Sequence, residues 1–296
     1  MTRGIALLAL SLTALSVAPG ARAAAGPNAD DYRGGWETYG AGVGPHIYEF
    51  SIRGQRVRGI YCTECSDATT LAFVDGRLAA GGLTFTVTHV YDDGGTAYQD
   101  HATARIANGE LIVTGTNGRD GRHFDWTLRK DPRGPAPVPG TPVNRLPPAP
   151  PVAGPSVPQR FGPPPYVAPG PWEPLSRAKV VGVWLGFGAG IDKQFFIIRR
   201  VGSGLRGMVC GRCDNPYTMA ALDDFQIQGD TLRFDILHED WGPGRLPSHN
   251  QVTAHIADNE MRISTELNNT RTHGVAGFEV HASLYGPVAA AATAGN

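Results

Sequence analysis

Leu83-Thr84-Phe85-Thr86-Val87-Thr88-His89 alternates apolar and polar residues without a break, and Leu232-Arg233-Phe234-Asp235-Ile236-Leu237-His238 repeats the pattern with one lapse at Leu237. A period of two marks a β-strand with one face in a core. The two stretches are also the same stretch of one unit used twice. Working outward, Trp36 matches Trp184, and Gly40-Ala41-Gly42 matches Gly188-Ala189-Gly190. Gly54 matches Gly202, Arg58-Gly59 matches Arg206-Gly207, and Cys62 and Cys65 match Cys210 and Cys213, all at one spacing. Further along, Thr103-Ala104 meets Thr253-Ala254 and Glu110 meets Glu260, the spacing growing only where turns fall. Ordered matches of this kind are the mark of a tandem duplication.

Each copy reads as about nine short strands. In the first copy these include separate strands at 69–74 and 77–80, with counterparts at 217–222 and 225–229. Asn108-Gly109, Asp93-Gly94-Gly95, Gly229-Asp230 and Asp258-Asn259 supply turn signals between them. No segment carries a helical stripe. A meander of that length removes its exposed edges by closing on itself. The expected fold class is therefore all-β, with two tandem homologous antiparallel β-barrel-like domains. A β-sandwich is the alternative.

Each copy opens on G-x-W, as Gly34-Gly35-Trp36 and Gly182-Val183-Trp184. This resembles the first-strand signature of lipocalins and the wider calycin barrels. The resemblance implies a barrel in which the Trp plugs one end and an Arg near the last strand packs over it. Arg129 stands in the matching place in the first copy, and the second copy has no such Arg.

The organisation around the copies is equally marked. The chain has 296 residues, of which 24 are Pro, and 17 of those fall between 131 and 175. Runs such as Pro163-Pro164-Pro165 exclude helix and central strand alike. Residues 131–175 therefore read as a stiff linker. It separates repeat 1 (31–130) from repeat 2 (178–287), and residues 288–296 read as a disordered tail. At the N-terminus, Arg3, the apolar run 5–17 and Ala21-Arg22-Ala23 form a signal-peptide pattern over residues 1–23. That run is too short to span a bilayer. The expected localisation is exported, periplasmic or extracellular, in a bacterial envelope. Lys plus Arg number 26 against 27 Asp plus Glu, a net charge of −1, which excludes the electrostatic footprint of a nucleic-acid binder.

The sharpest chemical feature is the pair of C-x-x-C segments, Cys62-Thr63-Glu64-Cys65 and Cys210-Gly211-Arg212-Cys213. Export favours one local disulfide per copy. Zinc held by all four thiolates and a redox-active dithiol are the competing readings. His89 and His238 end alternating strands in phase with the apolar residues, so they face the core near a barrel mouth. There they act either as rim histidines or as polar anchors for a ligand. Arg58 and Arg206 share a face with Ile60/Met208 and Cys62/Cys210. A guanidinium on such a face needs an anion, which Asp75/Asp223 or a ligand carboxylate could supply.

No G-x-S-x-G, H-E-x-x-H or phosphate-binding loop is present. The glycine triplets at 40–44 and 186–190 lack the following helix that a dinucleotide loop needs. These readings name no catalytic residue and no cofactor. They point to a non-catalytic binding or structural protein. Its expected partners are a small apolar or amphipathic ligand and an envelope partner reached through the Pro-rich linker, with no nucleic acid and no membrane span. The rival is a cavity enzyme of the isomerase, lyase or hydratase type using His89 or His238.

Overall fold

The computed structural model describes residues 28–38, 44–130, 171–188, 191–211, 213, 215–239, 248–268 and 275–286. The leader, residues 131–170 of the linker and the tail lie outside the described residues. The first repeat contains a one-turn helix α1 (Ala29–Tyr32) and eight strands. These are β1 (Gly34–Thr38), β2 (Ile47–Arg53), β3 (Arg56–Cys62), β4 (Ala72–Ala79), β5 (Gly82–Val90), β6 (Thr96–Ala107), β7 (Glu110–Thr116) and β8 (His123–Arg129). The second contains α2 (Arg177–Val180) and then β9 (Gly182–Gly188), β10 (Ile191–Val201), β11 (Gly204–Cys210) and β12 (Met219–Gln228). It ends with β13 (Thr231–His238), β14 (Ser248–Ala257), β15 (Glu260–Asn268) and β16 (Val275–Gly286).

Each set of eight pairs antiparallel in sequence order and closes into a barrel. Closure is made by Glu37↔Arg129 and Thr38↔Leu128 in the first barrel and by the β9–β16 ladder in the second. The sandwich alternative is thereby set aside. The expected ninth strand is absent because β4 runs unbroken through Asp75-Gly76. Its counterpart β12 absorbs the irregularity as a bulge between Asp223 and Gln226, with Asp224 at φ 55.

Eight strands leave an interior just wide enough for side chains to fill. Tyr48, Phe50, Val57, Val74, Leu83, Phe85, Leu111 and Leu128 fill the first barrel, and Phe196, Ile198, Leu222, Leu232, Phe234 and Ile263 fill the second. One end of each barrel has tight turns and a Trp plug. The Trp36 indole N–H donates to the Tyr32 carbonyl at 2.9 Å, and that of Trp184 to Val180 at 3.0 Å. The cation over the Trp36 ring is Lys130, 5.4 Å from its centroid. Arg129, one residue out of phase, turns outward to Glu110 at 2.8 Å.

Strands β2, β3 and β11 are buried on both faces. One face is the barrel interior and the other is the neighbouring barrel. Ile60, Cys62, Leu71 and Phe73 pack there with Met208, Cys210, Met219 and Ala221 in one shared apolar cluster. These are equivalent positions of the two copies, so the contact is isologous in kind, a two-fold pairing made within one chain.

The polar contacts obey the same symmetry. Glu239, whose side chain is fully buried, accepts from Ser51 at 2.5 Å, His249 at 2.8 Å and Arg33 at 3.2 Å. The positions equivalent to Ser51 and Glu239 are Arg199 and Val90. The Arg199 guanidinium donates to the carbonyls of Val90 at 3.1 Å, Ala68 at 2.9 Å and Leu71 at 3.3 Å.

Candidate functional site

Two arginines, one from each copy, stand at the centre of the polar contacts between the barrels. Alternation along β3 and β11 turns Arg58 and Arg206 out of their barrels, away from the interiors. Arg58 Nη1 donates to both oxygens of Asp223, at 2.6 and 2.7 Å, and its Nε lies 3.1 Å from Asp75. Arg206 Nη1 donates to Asp75 at 2.6 Å, and Nη2 donates to the carbonyls of Gly59 and Val74, each at 3.1 Å. The guanidinium also sits 5.0 Å above the Phe73 ring. Their anions are therefore the two aspartates named from the sequence, each shared across the barrels. In this geometry neither arginine reaches a barrel interior.

Both C-x-x-C pairs are disulfides, Cys62–Cys65 and Cys210–Cys213. That leaves neither the four-thiolate zinc reading nor a reduced dithiol in this structure. Each ring is followed by a single 3-10 turn, 68–70 or 216–218, capped by Asp67 or Asn215. The disulfides staple loops at the barrel–barrel seam. A cleft of about 540 Å³ runs beside them, lined by Cys65, Cys213, Ile47 and Phe195. A broad open depression of about 840 Å³ follows the outer face of β4–β8, lined by Thr84, Thr86, His101, Thr103, Thr114 and His123.

The histidines do face inward, at the end of each barrel opposite the Trp plug, and their surroundings differ. In the first barrel His89 Nε2 lies 3.0 Å from Asp100 Oδ2, and the Gly118 N–H donates to the other carboxylate oxygen at 2.9 Å. The His89 ring stacks on Tyr98 at 4.1 Å and meets Tyr61 edge-on at 5.8 Å. His46 Nδ1 is 2.7 Å from the Tyr61 hydroxyl, and its ring stacks on Trp126 at 4.0 Å. Tyr48 packs against Tyr61 from below at 4.7 Å. His46, Tyr98 and Trp126 are half-buried, so the cluster opens to solvent, whereas Asp100 is buried.

Electrostatics follow from this packing. Burial first, and the Asp100 charge second, push the Tyr61 and Tyr98 phenols above the ordinary tyrosine value. Both hydroxyls therefore stay protonated near neutral pH; both feel the Asp100 charge, which Arg119 opposes at Tyr98. Burial lowers His46 below the ordinary histidine value.

The second barrel has lost this arrangement. Strand register puts Phe196 where the first barrel has Tyr48, Val209 for Tyr61, Ser248 for Tyr98 and Asn250 for Asp100. His238 remains, its Nε2 3.0 Å from the Tyr217 carbonyl. Burial drives its pKa down to about 4.

Of these residues the sequence singles out His89 alone; His46, Tyr61, Tyr98, Asp100 and Trp126 carry no signal in their own strands. They lie on β3, β6 and β8 and immediately before β2, and share only an inward phase. The signal that finds them is the comparison of one copy with the other, position by position, for polar residues kept in one copy alone.

No protein-family model and no curated protein matches the chain. A similar solved structure is that of a protein of unknown function of the DUF3598 family from Nostoc punctiforme. It is 12% identical, with 85% of this chain and 94% of that chain covered and a TM-score of 0.24.

Proposed function

We propose that the chain is an exported binding protein that takes a small ligand at the open end of its first barrel, the second barrel acting as its rigid partner. The observation that carries this reading is the divergence of the copies. An aromatic-walled end with a buried carboxylate stands in one barrel, and the same positions in the other are Phe, Val, Ser and Asn. Packing alone gives no reason to keep Asp100, Tyr61 and Tyr98 in only one of two otherwise equivalent cores. Buried polar groups are costly unless satisfied.

Export is supported by the two disulfides, which suit an oxidising compartment. It is supported too by the leader pattern at residues 1–23, which would place the mature chain in the periplasm or outside the cell. Among the described residues no helix is long and apolar enough to cross a membrane. The Pro-rich segment would then tether the two repeats and offer a docking strip to an envelope partner.

His89 held by Asp100 beside the Tyr61 hydroxyl is also what acid–base chemistry uses. That is the second reading, and turnover of a bound compound would favour it.

The test is native mass spectrometry of the chain recovered from an exporting host. An organic mass lost on denaturation, and missing from a Tyr61→Val variant, is the expected result. An adduct that survives Tyr61→Val contradicts placement of the site in the first barrel.

A further inference from the structure

We infer that the ligand of the first barrel's open end is a small organic cation, an ammonium group carried on an alkyl or aryl body. The inference rests on the proposed site being a binding site and goes on to name its chemistry.

Three observations carry it. The end is aromatic: His46 stacks on Trp126 and His89 on Tyr98, with Tyr61 between the two pairs. A ring quadrupole attracts a cation placed over its face, the more so where water is displaced. The floor is a carboxylate. Asp100 is buried, and its field reaches Tyr48, Tyr61 and Tyr98. No Lys or Arg is hydrogen-bonded to it in the described structure; its partners are His89 Nε2 and the Gly118 amide. The contrast copy removes the charge and the rings together. Asn250, Val209 and Ser248 would make an uncharged end without those rings at the corresponding place.

An anionic ligand would meet the Asp100 field unfavourably. A neutral apolar ligand would make no use of the carboxylate's charge. A cation uses both features, and the half-exposed His46 and Trp126 leave its body a way out to solvent.

The experiment is an amide chemical-shift titration of the intact chain with choline and with dimethylbutanol, its uncharged carbon isostere. Choline is expected to shift amides around His46, Tyr61, Asp100 and Trp126, and to bind at least tenfold tighter than the isostere, the scale of a desolvated cation–π contact. Asp100→Asn installs the residue with which the second barrel already folds. It is expected to remove the preference for choline over dimethylbutanol. Equal or tighter binding of the isostere overturns the cation while leaving the binding end in place. A choline preference that persists in Asp100→Asn overturns the role given to the carboxylate. Failure of both probes to shift the first barrel's end overturns the cation. The adduct experiment on wild type and Tyr61→Val then decides separately whether the end binds anything.

Discussion

Arg58 of the first barrel grips Asp223 of the second with two hydrogen bonds from one nitrogen, at 2.6 and 2.7 Å, and Arg206 returns the contact to Asp75 at 2.6 Å. The four residues are two equivalent pairs, so the duplication has built a two-fold interface within one chain. The carboxylates are not equally placed. The Asp223 side chain is 6% exposed and that of Asp75 is 51% exposed.

That inequality gives the first prediction. Removing one partner of a buried pair leaves a charge uncompensated and costs about 3 kcal/mol, whereas a half-exposed partner is replaced largely by water. Asp223→Ala should lower the unfolding free energy by about that amount, and Asp75→Ala by about 1 kcal/mol, in urea denaturation. Equal costs would mean that the interface is open in solution.

The buried His238 gives the second. Its folded pKa of about 4 lies below its ordinary 6.5. Between those values the unfolded chain binds more protons than the folded one, so stability rises with pH across the window. The contribution is full above pH 6.5 and is lost as the pH falls toward 4, about 3 kcal/mol in all. His238→Gln should flatten the stability profile in that window relative to wild type. An unchanged slope contradicts a buried neutral imidazole.

Glu239 gives a third, at lower pH. Burial alone would raise its pKa, but hydrogen bonds from His249 and Ser51 outweigh burial and hold the carboxyl below the ordinary glutamate value. Its contribution is full above that ordinary value and is lost as the pH falls through the folded one. A Ser51→Ala variant should lose its stability at a higher pH than wild type in an acid titration followed by near-ultraviolet circular dichroism. Coincident transitions would show that Ser51 does not hold the carboxylate.

The disulfides give a fourth. Each closes a ring of only four residues, for which loop entropy predicts about 2 kcal/mol. Replacing Cys210 and Cys213 together by Ser should cost that much and leave a folded two-barrel protein, read from the denaturation midpoint. Loss of the fold would assign the ring a larger part at the seam.

Much of the architecture was legible in the residues. The alternation ending at His89 and His238, the repeated G-x-W and the paired turns lead to two all-β units. The phase of Arg58 put it on the face of Ile60 and Cys62, which is where it lies, and named Asp75 and Asp223 as anions. That each arginine takes the other copy's aspartate was not legible, because a single strand's phase cannot say what covers its outer face. A hint lay in β3, which carries apolar residues on both faces, Val57 and Tyr61 inward and Ile60 and Cys62 outward. Lys130 rather than Arg129 covers Trp36 because one residue of phase reverses a side chain on a strand. The open end was the least legible, since closure of the barrel brings Tyr61, Asp100 and Trp126 together from strands far apart in the chain.

The most direct test of the central claim is an amide chemical-shift map of the intact chain against a mixed set of small neutral, cationic and anionic compounds. The second barrel serves as the control within the same molecule. Shifts are expected to gather around His46, Tyr61, His89, Asp100 and Trp126, with the amides of Phe196, Val209 and Asn250 unmoved. Shifts gathered at the second barrel, or at the cleft beside Cys65 and Cys213 with the first barrel's end silent, would contradict it.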